Sequence, residues 1–491
     1  MGIARQWSTA AALLVGSGGV LAAPSLDYAA ARHLLTRTGF GATDAEIRGY
    51  TGLGREQAVA RLLQGVRTTA VTPIPAALNE FVRPGHIKAL PDDERKAVVA
   101  QQFIASVELR TWWLREMLDT PSPLTERMTL FWHNHFVSAQ TKVKSPVLML
   151  RQNLLLRQHA VGNFATLLHA VARDPAMLVY LDNAQNRKAE PNENFAREVM
   201  ELFTLGEGRY GERDVKEAAR AFTGWSLDPD DGTFVFRRFQ HDGGDKTVLG
   251  RTGNLDGDDV LDVLLAQPAC AEFIVGKLWR EFVSPEPDAA EVTRIAVVLR
   301  NARYDIRTAL RLLLTSDAFY APDKRAVLIK SPVELVVGTL HGFGVETGEL
   351  APFAFLTAAL GQNLFSPPNV KGWPGGETWI NSTTLLQRRQ FLDRLFRGED
   401  LRGAGGMKMG KDVKIARGAG QLDAGERRRL LQGLTDLRFD AGAWMAGLRN
   451  PGAAGVVAAV LPVAPVASVP DGTSGLELIR ALTQDAVYQL K

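Results

Sequence analysis

The chain has 491 residues, which at about 150 residues per domain suits three domains or one large helical one. Hydrophobic residues make up 46% and charged residues 23%, ordinary globular proportions that exclude a wholly disordered chain. The 57 lysines and arginines against 54 aspartates and glutamates leave +3, too close to neutral for a nucleic-acid-binding surface, and a single cysteine, Cys270, excludes a disulfide framework or a multi-cysteine metal site.

The first elements concern the compartment. Arg5 is a minimal basic start, Thr9 to Ala23 is uncharged, and Leu21-Ala22-Ala23 resembles a small-residue cleavage site. Residues 1–23 therefore read as a secretory signal peptide, too short to span a bilayer, with an N-terminal arm as the alternative. Localisation is accordingly expected to be periplasmic or secreted.

From Ser25 the pattern is helical. Apolar residues recur at helical spacing over Ser25–Thr36, Asp44–Gly49, Arg55–Leu63, Pro91–Leu118, Leu124–Phe136, Ser145–His159, Asn163–Ala172, Asn192–Leu205 and Glu212–Gly224. The segment TFVFRRF at 233–239, the pair Gly243-Gly244 and Thr247-Val248-Leu249 interrupt it, predicting one small inserted β-hairpin. Helices resume over Asp258–Leu265, Ala269–Phe282, Ala289–Arg300, Ile306–Leu314 and Ser331–His341. Cys270 falls in the apolar run PACAEFIVGKLW and reads as core. A Gly/Pro/Trp-rich loop, FSPPNVKGWPGGETW, covers 365–379, and Asn381 is placed to N-cap Ser382–Phe396. Beyond Leu401 the composition shifts to Gly, Ala, Arg and Lys, closing on a helix over Gly475–Leu490. The apolar run Val456–Ala467 carries two prolines in twelve residues and is no membrane span. The expected architecture is mainly α: a main helical domain over residues 24–400 and a C-terminal extension over 401–491.

Several stretches together resemble one bacterial family. They are ARHLLTRTGFG at 31–41, ERMTLFWHNHF at 126–136, the long polar-to-helical stretch 177–225, HDGGDKTVLG at 241–250, FSPPNVKGWPGGETWINSTTLL at 365–386 and DAVYQLK at 485–491. In this order, over about residues 25–491, they resemble the family catalogued as domain of unknown function 1800. The resemblance implies no assigned activity. Members of that family are often exported and often encoded beside a second uncharacterised family, domain of unknown function 1501, which resembles alkaline phosphatase and sulfatase-type proteins and is a candidate partner. Gly211 stands where the family often has Ser or Thr, which weakens a capping box to Asp214 although Gly is an acceptable N-cap.

Four groups of residues could carry chemistry. His133 and His135 form the one histidine cluster, a metal pair if the chain is extended there. On a helix they sit about 200° apart and one becomes structural. The letters HNH do not make a nuclease, because the flanks are apolar helix. Asn194, Glu198 and Glu201 share a helix face within about 60°, as an acid–base or metal pair would, or as part of a solvated face with Glu193–Arg197 and Arg197–Glu201 pairs. His241, Asp242 and Lys246 surround a glycine turn and suit an anion or a metal, unless they only shape the turn. Trp225, Trp373 and Trp379, with Asn369, Lys371 and Asn381, would wall a cleft for a polymer, sugar or aromatic ligand, or staple loops to the helical body. No P-loop, G-x-G-x-x-G or G-x-S-x-G motif is present.

These groups yield three expectations. The first is an exported hydrolytic or oxidative enzyme using a divalent metal on an envelope or extracellular polymer, with the metal among Zn²⁺, Mn²⁺ and Fe²⁺. The second is a non-catalytic partner of the phosphatase-like protein. The third is a carbohydrate-binding protein using the tryptophan loops.

Overall fold

The computed structural model describes residues 25–83, 87, 89–397, 437–470 and 472–491. The expected signal peptide, His86 and residues 401–436 of the expected extension lie outside them. Helix dominates as the periodicity predicts: 61% of the chain is helical, in 22 helices among the described residues, beside two small antiparallel sheets.

The Pro123–His135 helix organises what packs around it and is buried along almost its whole length. Pro123 opens its first turn, where a missing N–H costs nothing and the fixed φ favours helix. Consecutive residues on a helix point about 100° apart, so Glu126 and Arg127 reach different neighbours. Glu126 takes a bidentate hydrogen bond from Arg157 on the Pro146–Gln158 helix, at 2.6 and 2.8 Å. It also accepts from the Trp113 indole of the Asp92–Asp119 helix at 2.8 Å. Three helices are thereby keyed to one buried carboxylate. Arg127 turns the other way, to Glu281 at 2.5 Å on the Pro268–Phe282 helix and to Glu334 in the first turn of Pro332–Gly342. Breaking one partner out of such a buried set costs about 3–5 kcal/mol, because a charge is left uncompensated.

A small residue sets one close approach of backbone to backbone. A Cβ at Gly338, within Pro332–Gly342, would fall 1.9 Å from the Phe40 carbonyl oxygen. No side chain fits there, so the loop after the Tyr28–Thr38 helix lies directly on the helix backbone.

The β-structure differs from expectation in its pairing. Phe234–Phe236 (β2) pairs with Trp225–Leu227 (β1), and Lys246–Val248 (β3) pairs with Arg251–Gly253 (β4). The two predicted strands belong to separate hairpins. The second closes through Leu249 and Gly250, both at positive φ (46° and 84°), the backbone a tight two-residue hairpin turn requires. Gly243-Gly244 instead belongs to a loop held by Arg220 and Asp242.

The predicted helix Asn192–Leu205 is also two structures. Glu193–Glu198 is α-helical, and Val199–Leu205 continues as a π-helix in which the Gly206 N–H reaches back five residues to the Glu201 carbonyl at 3.1 Å. A wide turn of this kind is rare and recurs at functional sites.

The described residues beyond 437 share the core. Leu448, Val456, Val460, Leu478, Ile479 and Leu482 join the buried cluster. The Trp444 indole donates to the Gly342 carbonyl at 2.9 Å, and Phe343, Phe396 and Phe439 meet edge to face. Arg388 on Ser382–Arg397 donates to the Lys330 carbonyl and the Gln489 side chain, tying the last residues to the body.

Candidate functional site

A cleft of about 440 Å³ opens where the Pro123–His135 and Pro268–Phe282 helices meet the start of Pro332–Gly342 and the Gly/Pro/Trp loop. Its volume is in the range of a small-ligand site. Its walls carry five cationic side chains, Arg127, Lys277, Arg280, Lys371 and Lys491, against two carboxylates, Glu281 and Glu334.

The deep end is neutralised. Arg127 holds Glu281 and Glu334, and Lys491 also meets Glu334, which accepts from the Ser331 N–H at 2.7 Å. Burial alone would raise the Glu334 pKa, but Arg127 and Lys491 overcome it and hold it at about 2. Among the described residues Lys371 is paired with Glu207 at 3.1 Å, and Arg280 is exposed and forms no ion pair. Lys277 is also without a carboxylate. Its Nζ donates to His135 Nδ1 at 3.0 Å and to the Leu202 carbonyl at 3.3 Å. Burial, aided by the neighbouring Arg280 charge, pushes its ammonium down to about 8. Arg280 therefore carries a positive charge with no carboxylate partner, beside a Lys277 whose ammonium is weakened.

The π-helix builds this pair. At a helix C-terminus the last carbonyls have no intrahelical donor. The Leu202 carbonyl takes Lys277, and the Phe203 carbonyl takes His135 Nε2 at 3.1 Å. His135 is thus the neutral tautomer with hydrogen on Nε2 and a lone pair on Nδ1. Burial, with the Lys277 charge beside it, depresses its pKa well below the usual value.

The loop that forms the opposite wall is clamped by Asn134. Its Oδ1 accepts from the Trp373 N–H at 2.7 Å and its amide donates to the Trp373 carbonyl at 3.3 Å. Gly372 (φ +82°) allows the approach, since a Cβ there would sit 2.3 Å from Asn134 Oδ1. Trp373 and Trp379 line the cleft while only 4% and 7% exposed.

The predicted residues separate into three places. His135, Lys371, Trp373 and Trp379 reach the cleft. His133 does not. It lies on the apolar side against Trp113, Phe365 and Trp373, with Nε2 unpartnered and its pKa driven to about 3 by burial. The helix thus parts the two histidines as its geometry requires. Glu198 and Glu201 stay together near Lys371. Burial and the Glu201 charge raise Glu198, and Glu201 accepts from the Tyr210 hydroxyl. Arg197 bonds Glu193 at 3.2 Å as expected, but takes Glu212 at 2.8 Å in place of Glu201. Asn194 donates to the Leu181 carbonyl. Asn369 closes its own turn onto the Lys371 N–H, and Asn381 caps its helix through the Thr384 N–H, both at 2.9 Å.

The third place is the hairpin region, away from the cleft walls. His241 Nδ1 meets the Thr223 carbonyl at 2.9 Å. Asp242 is gripped by Arg220 at 2.7 Å, which lowers its pKa, and also accepts from the Gly244 N–H. Lys246 is buried against the Gly244 carbonyl, and burial lowers its pKa. Trp225 is 3% exposed, packed on Phe222 and Phe234 with Arg173 over its ring. These side chains shape turns and core. Among the described residues no three His, Cys, Asp or Glu side chains gather as a metal set.

Sequence reading missed Arg127, Lys277, Arg280, Glu281, Glu334 and Lys491. One signal was available: Lys277 is a lone lysine inside the apolar run FIVGKLW, where a solvated charge would not be placed.

No curated protein and no solved structure matches the chain. A family model described as "Protein of unknown function (DUF1800)" matches residues 33–465, most of the chain, and the protein belongs to that family.

Proposed function

We propose that the protein binds an acidic saccharide segment in the cleft beside Trp373. The observation that carries this reading is the unpaired guanidinium of Arg280, beside Lys277, on the wall of a cavity whose carboxylates are already neutralised. A guanidinium at a cleft mouth suits a carboxylate or sulfate bidentately. The apolar wall of Leu130, Phe131, Trp373 and Trp379 suits the flat faces of sugar rings. Export, as the family resemblance implies, would bring such a cleft to envelope or extracellular polymers. Among the described residues no helix is long and apolar enough to cross a membrane. The metal-centred enzyme draws no support from the side-chain arrangement, because His241 and Asp242 are engaged elsewhere and His133 faces the apolar interior. Partnership with the phosphatase-like protein rests on the resemblance alone.

The test is calorimetric titration with an oligo-uronate and with a neutral oligoglucan of equal length, at low and high salt. The uronate should bind saturably and more weakly in salt, and Arg280→Gln should weaken it by roughly tenfold or more, the size of a lost charged hydrogen bond. Equal binding of the two saccharides, or an Arg280→Gln variant with unchanged affinity, would overturn the reading.

A further inference from the structure

We propose that Lys277 is a nucleophilic amine that forms a reversible imine with an anionic aldehyde entering the cleft. The amine part stands on the geometry of Lys277; the preference for an anion rests on the binding reading above. A neutral primary amine has two hydrogens and one lone pair. Both hydrogens of Lys277 Nζ have acceptors on the protein side, His135 Nδ1 at 3.0 Å and the Leu202 carbonyl at 3.3 Å. The acceptors are fixed, since His135 is locked by the Phe203 carbonyl and Leu202 belongs to the π-helix end. The remaining tetrahedral position carries the lone pair, and among the described residues no other side chain occupies it with a hydrogen bond or ion pair. Lys277 is also a wall residue of the cleft.

The other lysines of the region do not meet these conditions. Lys371 and Lys491 are bound to Glu207 and Glu334. Lys330 is buried against the Tyr488 carbonyl and ring, off the cleft walls. Burial and the Arg280 charge disfavour a second positive charge at Nζ, in line with its lowered pKa, and they outweigh the opposite pull of the Phe273 ring face at 4.7 Å.

The step balances without an outside reagent. The Nζ lone pair attacks the carbonyl carbon, a C–N bond forms, and the carbonyl π electrons move to oxygen. The nitrogen, now positive, passes a proton to His135 Nδ1, which hands it to the alkoxide to give a carbinolamine. The nitrogen lone pair then expels the hydroxyl as hydroxide, leaving an iminium. His135 Nδ1 takes the remaining N–H proton and passes it to the hydroxide, so water leaves and the neutral imine remains. Arg280 would hold the carboxylate of the aldehyde, placing its carbonyl toward Nζ.

The experiment uses the full chain, glyoxylate as the anionic probe and glycolaldehyde as a neutral one of similar size. Each is incubated at pH 7.5 with cyanoborohydride, which fixes imines as stable amines, and the modified lysines are mapped by peptide mass spectrometry. Lys277 should be labelled roughly tenfold faster than exposed lysines by either aldehyde, and faster by glyoxylate than by glycolaldehyde. Loss of that labelled peptide in a folded Lys277→Arg variant confirms the assignment. Labelling of Lys277 at the rate of surface lysines with both probes overturns the amine proposal while leaving uronate binding to its own test. Fast labelling without preference for glyoxylate supports the amine and overturns anion selection at Arg280.

Discussion

Asn134 offers the sharpest test of how the cleft wall is held. Among the described residues its side chain is the sole hydrogen-bond partner of both backbone groups of Trp373, accepting from the N–H at 2.7 Å and donating to the carbonyl at 3.3 Å. Asn134→Ala removes both bonds and leaves a nearly buried N–H without an acceptor. Stranding such a group costs about 1–3 kcal/mol, and the lost donor to the carbonyl adds less because that contact is longer. Taking ~2 kcal/mol for the local opening of the loop, amide exchange should quicken by roughly 30-fold, at 1.4 kcal/mol per tenfold. Hydrogen exchange by mass spectrometry on a peptide covering residues 369–379 reads this directly. Asn134→Asp is the control: it keeps an acceptor for the Trp373 N–H, so its loop should exchange far closer to the parent rate. Unchanged loop exchange in Asn134→Ala, or equal acceleration in both variants, would refute the clamp.

Three further outcomes follow from the same structure. Arg127→Met should cost about 3–5 kcal/mol in thermal or urea unfolding, by removing the cation from Glu281 and leaving Glu334 to Lys491 alone, and a loss under 1 kcal/mol would contradict the buried cluster. Trp225→Ala should destabilise by about 3–5 kcal/mol yet leave saccharide affinity of the folded protein unchanged, since Trp225 packs in the core; a binding defect would return it to the site. The surface pair Glu46–His341 (2.9 Å) should give a pH window. Burial alone would raise Glu46, but the His341 bond holds it at about 2, so its contribution is present above its ordinary 4.5 and lost as pH falls toward 2. The Glu46 bond raises His341, so its contribution is complete below its ordinary 6.5 and lost as pH rises through the higher folded value. The stability difference between parent and His341→Gln should therefore be greatest between these two ordinary values and shrink on both sides. At this exposure it should amount to ~1 kcal/mol or less, and a difference that grows above pH 8 would contradict the assignment.

The helical body was legible because apolar spacing repeats over long stretches, as in Pro91–Leu118, which the structure gives as Asp92–Asp119. Caps were legible too: Asn381 does what a short polar side chain before a helix does. At Gly211 the expected weakened box is half kept, since Asp214 still accepts from the Gly211 N–H at 2.9 Å. Strand pairing was less legible, because the turn at Leu249-Gly250 puts a leucine at positive φ, and no residue preference announces that. The π-helix was hidden for a different reason: its apolar positions also fit an ordinary helix over a short window. The cleft was half visible. Trp373, Trp379 and Lys371 stand out in a polar loop, whereas Lys277, Arg280 and Glu281 sit in an apolar helix and acquire meaning only through distant partners such as Leu202, Arg127 and Glu334. Contacts across 75 or 207 residues of chain leave no local pattern to read.

The wide turn at Val199–Leu205 makes this part of the protein sensitive to length more than to chemistry. Deleting any one residue there would let the helix tighten to ordinary pitch and would rotate and retract everything after it by one position. The carbonyls now facing Lys277 and His135 would be replaced by others in new directions, even with every side chain in the cleft intact. Substitutions within 199–205 that preserve apolar character should be absorbed by the core, while a single-codon deletion should disconnect the lysine from its acceptors.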